Sequence, residues 1–384
     1  MSRIYLDNAA TSWPKPESVY LAVDQTQRNV GVSAARGGYS SSALAGKVIK
    51  QTRQSVGALI GAEDASQVAL TSGCTDSLST AIFGFLKQGD HAITTAADHN
   101  SVVRPLMHLR DTGVIDLTIV GCDADGLVKA QSVSDAITSK TALVAASHAS
   151  NVLGTIQPVE EIGEICTAKK VTFLLDAAQT LGHMPIDIKS IGCQFLASAG
   201  HKGLLGPLGT GVLYVCPSII DRLTPLRFGG TGSERVDQGQ PTTMPTMLES
   251  GSLNVPAIAG LGAGIDFLVS AEGSAGLQRS KRLTTKVISG LSKIEGVRLF
   301  GPKPDTDRMP VIAFSVGGYD SATVAGILDS SFHIQVRAGF HCSPLLHQSI
   351  GTDADGLVRI SIGHFNTAEE IDTAVAAVGE IAAG

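Results

Sequence analysis

The sequence has no CxxC pair, no block of like charge, no internal repeat and no long apolar run, and each absence removes a class of function. Its six cysteines, Cys74, Cys122, Cys166, Cys193, Cys216 and Cys342, neither pair closely nor alternate with histidine at zinc-ligand spacing. A disulfide scaffold and a structural metal site are therefore not expected, and most of these thiols should be reduced and buried. Lys and Arg are scattered and the formal net charge is -6, so no basic face is offered to nucleic acid or to an anionic membrane. No segment stays apolar long enough to span a bilayer, and no apolar run follows the opening Met-Ser-Arg, so the expected compartment is the cytoplasm. No GxGxxG follows an early strand, and the glycine-rich run from Gly203 to Gly211 leads into a strand rather than a helix, which argues against a nicotinamide dehydrogenase.

What is present is ample core material. The 384 residues are 43% hydrophobic and 17% charged, which suits one sizeable domain with a smaller one attached. Between residues 65 and 215, seven short β-rich runs alternate with helical stretches: Gln67–Leu70, His91–Thr94, Leu117–Val120, Ala142–Ala145, Val171–Leu175, Gln194–Leu196 and Gly211–Val215. That alternation predicts an α/β unit, a mostly parallel sheet covered by helices on both faces. Ligands of such sheets bind beyond the carboxyl ends of the strands, so the polar residues after each run are the ones to inspect. After residue 255 the order changes to a long helical stretch, strands at Val311–Val316, Ile334–Arg337 and Val358–Ile362, and a closing helix from Ala368, as in a smaller α+β lobe. Between the two lies Arg227–Asn254, rich in Gly, Thr, Pro and Met, which reads either as a functional loop or as a mobile surface segment.

Three strand ends carry chemistry. Thr71-Ser72-Gly73-Cys74-Thr75-Asp76-Ser77 leads into a helical pattern, where Gly73 lets a ligand approach the backbone and free helix-start amides attract an anion; an ordinary capped turn has the same composition. Asp176 ends the apolar run Val171–Leu175, where an unpaired carboxylate is costly. It calls for a cation such as a protonated pyridine nitrogen, or else it caps the following helix. Lys202, in Ala-Ser-Ala-Gly-His-Lys-Gly-Leu-Leu-Gly, is the one charged residue between Lys189 and Asp221. Apolar surroundings depress a lysine pKa and supply the free amine of an imine-forming nucleophile.

Asp-Ala-Ala-Gln at 176–179, Ser-x-x-His-Lys at 198–202 and Thr-Ser-Gly-x-Thr at 71–75 together resemble the class V aminotransferases, fold-type I enzymes that use pyridoxal 5'-phosphate. Within them the chain resembles the cysteine desulfurases, from Tyr5-Leu6-Asp7-Asn8-Ala9-Ala10-Thr11 to Val358-Arg359-Ile360-Ser361-Ile362-Gly363-His364. The segment Arg337-Ala338-Gly339-Phe340-His341-Cys342 is what points to desulfuration. The resemblance implies a seven-stranded large domain over 14–255 and a smaller domain formed by 1–13 and 256–384. It implies that Lys202 carries the cofactor covalently, that Asp176 pairs with its ring nitrogen, that Gln179 contacts the ring hydroxyl, and that His99 stacks on the ring and assists proton transfer. Cys74, Thr75, Ser198 and His201 are expected to hold the phosphate, with Ser252 of a neighbouring subunit in a homodimer. Asn151 and Arg359 are expected to hold the substrate carboxylate, and Cys342 to take up sulfur as a persulfide, with Arg337 or His341 favouring its thiolate. Two positions depart from the common pattern: Cys74 stands where a small residue such as Ala or Thr is usual, and Ser343 where Ala is usual.

The substrate implied is L-cysteine, with L-selenocysteine as the alternative, and the implied partner is a sulfur acceptor or an iron–sulfur scaffold protein. A transaminase or another β-elimination enzyme of the same class leaves Arg337 to Cys342 unexplained. A cofactor-free platform that binds a sulfur-carrier partner is the non-enzymatic alternative.

Overall fold

The computed structural model describes residues 3–34, 37–232 and 239–384. In chain order the elements are β1 (Ile4–Tyr5), α1 (Glu17–Asn29), α2 (Ser40–Ile60), β2 (Val68–Thr71), α3 (Cys74–Phe85), β3 (Asp90–Thr95), α4 (Asn100–Asp111), β4 (Ile115–Val120), α5 (Ala130–Ala136), β5 (Thr141–Ser147), α6 (Val159–Lys169), β6 (Thr172–Asp176), α7 (Ile188–Ile191), β7 (Phe195–Ala199) and β8 (Gly211–Val215). They continue with α8 (Val255–Leu268), α9 (Ala271–Leu291), β9 (Val297–Phe300), β10 (Val311–Val316), α10 (Ser321–Phe332), β11 (Ile334–Gln335), β12 (Arg337–Gly339), α11 (Pro344–Ile350), β13 (Leu357–Ser361) and α12 (Ala368–Ala383).

All seven expected runs between 65 and 215 form one sheet, in the order β2-β8-β7-β6-β5-β3-β4. Five of the strands run parallel through β7, β6, β5, β3 and β4, while β8 is antiparallel to both β7 and β2. The central strand β6 is buried throughout. Its alternate side chains enter opposite layers: Phe173 and Leu175 pack with Val56, Ile162 and Leu261, and Leu174 packs with Leu78, Phe85 and Phe195. Because these strands are parallel, their carboxyl ends lie at one edge, and Thr95, Ser147, Asp176 and Ala199 emerge there together.

The second sheet is antiparallel, β12-β13-β10-β9, and α9, α10 and α12 cover a core that includes Leu283, Val287, Phe314, Val358, Ile360 and Val378. The start of the chain belongs with it, since β1 pairs with β11 and Leu6 lies in the same core. The anticipated strand Ile334–Arg337 is broken: β11 turns to β1 and β12 to β13. The anticipated boundary at 255 falls on the first residue of α8, yet Val255, Ile258, Leu261 and Ile265 pack in the core of the large sheet. By packing, the core changes after Leu268, not at 255. Of the Arg227–Asn254 segment, residues 233–238 lie outside the described residues. Among the described residues, no single helix is long and apolar enough to cross a membrane.

Candidate active site

A cavity of about 670 Å³ opens between the two sheets, lined from the large sheet by Cys74, His99, Asp176 and Lys202 and from the small one by Arg337 and Arg359. Gly73 caps α3 with φ 155, and no side chain closes the helix start. The bare amides of the first turn therefore remain available to an anion. Gly211 shows why both positions are glycine, because a Cβ there would come 2.5 Å from the Gly73 backbone. Around this end sit Thr75, whose hydroxyl is 2.8 Å from that of Ser101, and His201, whose Nδ1 is buried without a partner.

Ser198 is not there. Its hydroxyl points behind the strand and donates to the Ala177 carbonyl at 3.1 Å, while Ala199 lines the cavity. The cause is the pleat: neighbours on β7 face opposite sides, so a one-residue offset removes a hydroxyl from the site. Ser252 also lies elsewhere, 3.5 Å from Ser33 on the rim of a second cavity.

Asp176 at the end of β6 is 5% exposed. Its Oδ1 accepts from the Ala178 amide at 2.9 Å and from the Cys74 thiol at 3.5 Å, and its Oδ2 accepts from Ser147 at 3.5 Å. Burial, together with the Asp176 carboxylate, pushes the Cys74 thiol well above the usual range, so Cys74 stays protonated and acts as a weak donor. Burial lowers the Lys202 ammonium below its ordinary value, and the Arg359 and Arg337 guanidiniums push the same way, while Cys74 and Asp176 oppose them. The net effect favours the neutral amine, the form that acts as a nucleophile.

His99 caps α4. Its Nδ1 accepts from the Ser101 amide at 3.1 Å, which places the ring proton on Nε2. Burial first, and then the charge of Lys202, bring its pKa down to about 4, so the ring is neutral at physiological pH. Gln179 lines the cavity and donates to the Ala9 carbonyl at 3.1 Å.

Arg359 on β13 is 1% exposed. Nη2 is ion-paired with Asp7, Nη1 donates to the Asn151 carbonyl at 2.8 Å, and Nε is buried with no partner. An unpaired N–H of a buried guanidinium in a cavity wall is suited to an incoming carboxylate. The side chain of Asn151 is differently engaged: Oδ1 accepts from Ser343 at 2.8 Å and Nδ2 donates to the His341 carbonyl at 2.6 Å. Both of its polar atoms are tied to the loop of Cys342, while the second Nδ2 hydrogen remains and the residue lines the cavity together with Arg359.

That loop follows β12. Cys342 is exposed, and its Sγ lies 3.7 Å from Nη2 of Arg337, which itself lines the cavity. His341 and Cys342 both have left-handed backbone, φ 50 and 60, a conformation costing about 1–3 kcal/mol for each non-glycine residue and kept only where the surroundings impose it. Of the two neighbours expected to favour a thiolate, only Arg337 touches the sulfur among the described contacts. His341 is 3% exposed, and its pKa is driven down to about 2 by burial and then by Arg359, so it carries no charge to offer.

Sequence reasoning missed Ser101, Ser147 and Asp7, which hold Thr75 and His99, Asp176, and Arg359 respectively. Ser147 ends β5 and Ser101 lies two residues after His99, so a search of the residues at and beyond each strand end reaches both. Among the described residues, no cluster of three or more His, Cys, Asp or Glu side chains is placed to hold a metal ion.

The uncapped helix start, the orphaned His201 nitrogen, the buried carboxylate and a buried lysine with a lowered pKa fit pyridoxal phosphate, the cofactor expected from the sequence motifs. Comparison with known proteins gives the same family. The aminotransferase class-V model matches residues 4–374. A probable cysteine desulfurase of Methanothermobacter thermautotrophicus is 33% identical over 99% of this chain and 94% of its own length. A cysteine desulfurase of Yersinia pseudotuberculosis is 31% identical over 98% of this chain and 93% of its own. In three dimensions the chain superposes on the apo cysteine desulfurase of Thermococcus onnurineus NA1 with a TM-score of 0.92 at 32% identity, covering 100% of this chain and 95% of that one. It superposes on an Escherichia coli cysteine desulfurase in an S-sulfonic acid form with a TM-score of 0.88 at 26% identity, covering 98% and 94%. Matched along nearly its full length, the chain belongs to the class V aminotransferases.

Proposed function

We propose that this chain is a pyridoxal-phosphate-dependent cysteine desulfurase that converts L-cysteine to L-alanine and keeps the sulfur as a persulfide on Cys342. The observation that carries the proposal is the Arg337–Cys342 contact at the mouth of a cavity that also holds Lys202 and Asp176. When bound, pyridoxal phosphate supplies an electron sink that acidifies the α-carbon of a bound amino acid and weakens its bond to sulfur. The chain's residues do the rest. Asp176 would pair with the ring nitrogen, and Cys74, Thr75, His201 and the first turn of α3 would hold the phosphate. Arg359 binds the substrate carboxylate through its free Nε and orients the sulfur toward Cys342. Lys202 removes the α-proton as a base, and His99, with its proton on Nε2, shares that transfer. Arg337 donates to Sγ of Cys342 at 3.7 Å and so holds the sulfur beside the cavity that it lines. As the Sγ–S bond forms, the substrate's Cβ–S bond breaks and its electron pair remains with the carbon skeleton, which takes up protons and leaves as alanine. The distance of Ser252 from its own cavity is consistent with a homodimer, in which that residue serves the neighbouring subunit's phosphate site. The exposure of Cys342 suits delivery of its sulfur to an acceptor protein in the cytoplasm.

The test is Cys342→Ser. It should abolish release of alanine and sulfide from L-cysteine while the cofactor's visible absorbance remains. Wild-type protein without thiol reductant should stop after a burst of one alanine per subunit. Undiminished turnover by the variant refutes the persulfide role.

A further inference from the structure

The loop that carries Cys342 is joined to the cavity wall by a hydrogen-bonded chain. Ser343 is the cap residue of α11, where a serine hydroxyl ordinarily accepts from an amide in the first turn of the helix; here it makes no such bond. The side chain is fully buried and donates to Asn151 Oδ1 at 2.8 Å instead. Asn151 passes the constraint on, with Nδ2 donating to the His341 carbonyl at 2.6 Å. On the other side of the same turn, the Asn100 amide holds the Cys342 carbonyl at 2.8 Å. Between these two anchors stand His341 and Cys342, both in the left-handed region, which side-chain-bearing residues keep only where neighbours enforce it. The backbone carbonyl of Asn151 also accepts from Arg359 Nη1 at 2.8 Å, so one residue touches both the turn and the guanidinium.

We propose that Ser343 is a positioning residue for sulfur transfer: by fixing the Asn151 amide, it holds the His341–Cys342 turn so that Sγ stays at the cavity mouth beside Arg337. The inference rests on Cys342 as the sulfur acceptor. Without the Ser343 hydroxyl, Asn151 Oδ1 loses its donor and the amide is free to rotate, and the His341 carbonyl then loses a fixed partner. Arg359 is unaffected, because its contact is to the backbone of Asn151 and not to the side chain. The substrate carboxylate keeps the Arg359 guanidinium, so the step that suffers most is the meeting of the thiol with the substrate sulfur, and not the earlier proton transfer.

The experiment compares Ser343→Ala, Ser343→Thr and Ser343→Val with wild type and with Cys342→Ala, using cofactor-loaded protein and L-cysteine. Thr and Val match in volume, so any difference between them reports the hydroxyl alone. Ser343→Ala should lower kcat and slow the alanine burst by about five- to tenfold, the effect of one buried hydrogen bond. KM should hold, and the rapid absorbance change on mixing with cysteine should keep its wild-type rate. Ser343→Thr should exceed Ser343→Val by a similar factor. Equal kcat for Thr and Val, or a Ser343→Ala loss that appears in KM and in the absorbance change, overturns the positioning role while leaving Cys342 as acceptor. Wild-type turnover by Cys342→Ala overturns both.

Discussion

Arg359→Lys isolates what the guanidinium does for the substrate. The arginine is 1% exposed and uses two of its nitrogens within the protein, Nη2 on Asp7 and Nη1 on the Asn151 carbonyl, which leaves Nε for a ligand. Removing the side chain altogether would strand Asp7 beside a buried hole, at a cost of about 3–5 kcal/mol of stability. Lysine keeps a positive charge near Asp7 and so spares most of that cost. An ammonium, however, cannot hold Asp7 and the Asn151 carbonyl while also reaching the cavity, since it is a point charge on a flexible stem and not a fork. The substrate carboxylate then loses one charge-assisted hydrogen bond, worth about 1.5–3 kcal/mol, which corresponds to a rise in KM of about 10- to 150-fold. Steady-state kinetics with L-cysteine measure it, with the cofactor's absorbance and the melting temperature as controls for loading and folding. A KM within threefold of wild type, in a variant that folds and binds cofactor, would refute the assignment of Arg359 to the carboxylate.

Two further perturbations test the frame around the site. Glu249 and Arg53 form a buried pair, Nη1–Oε1 2.5 Å and Nη2–Oε2 2.9 Å, and Glu249 Oε1 also accepts from the Leu70 amide at 2.7 Å. Glu249→Ala should cost about 3–5 kcal/mol in urea denaturation by leaving Arg53 charged and unpaired, and a loss below 1 kcal/mol would contradict this. Lys15 has its pKa lowered to about 7 by burial. Above that pH the native protein releases a proton that the unfolded chain keeps up to its ordinary pKa of 10.5, so this residue makes stability rise with pH across that window. Denaturation midpoints should therefore climb more between pH 7 and 9 for wild type than for Lys15→Met; equal slopes would show that the shift is absent.

The seven strand runs were legible because a strand buried on both faces spells itself as a short apolar stretch. Strand direction was not, and β8 runs antiparallel to both neighbours although it is a short, fully buried run just as β7 is. The short strand β9 escaped because Val297–Phe300 sits half-buried at an edge and lacks an apolar run. In the site, residue types tied to strong chemistry were found by their setting: Asp176 at a strand end, and Lys202 alone in an uncharged stretch. What composition could not supply was the facing of individual side chains. Ser198 and Ala199 differ by one step of pleat, and only the fold says which of them lines the cavity. His341 adjoins Cys342 in sequence and Arg337 is five residues away, yet the strand–turn geometry gives the sulfur to Arg337.

The same geometry explains why the reactive groups need both sheets. Lys202 follows β7 of the large sheet, but the carbonyl just before it, that of His201, accepts from Thr11 at 3.1 Å, Ser12 at 3.1 Å and Lys15 at 2.8 Å, all from the N-terminal segment that begins in β1. Arg359 stands on the small sheet and is braced by the carbonyl of Asn151, beyond β5 of the large one. Cys342 follows β12 of the small sheet and is held by the Asn100 amide at the start of α4. Each group presented by one sheet is thus fixed by contacts from elsewhere in the chain, and for Arg359 and Cys342 those contacts come from backbone that follows strands of the opposite sheet. A shift of one sheet against the other would misalign amine, guanidinium and thiol together, and reactions that depend on near-contact distances lose rate steeply under such displacement. The buried pair of Arg53 and Glu249 and the packing of α8 beneath the large sheet serve this alignment at a distance, by keeping the segment that leads from β8 into α8 anchored to β2.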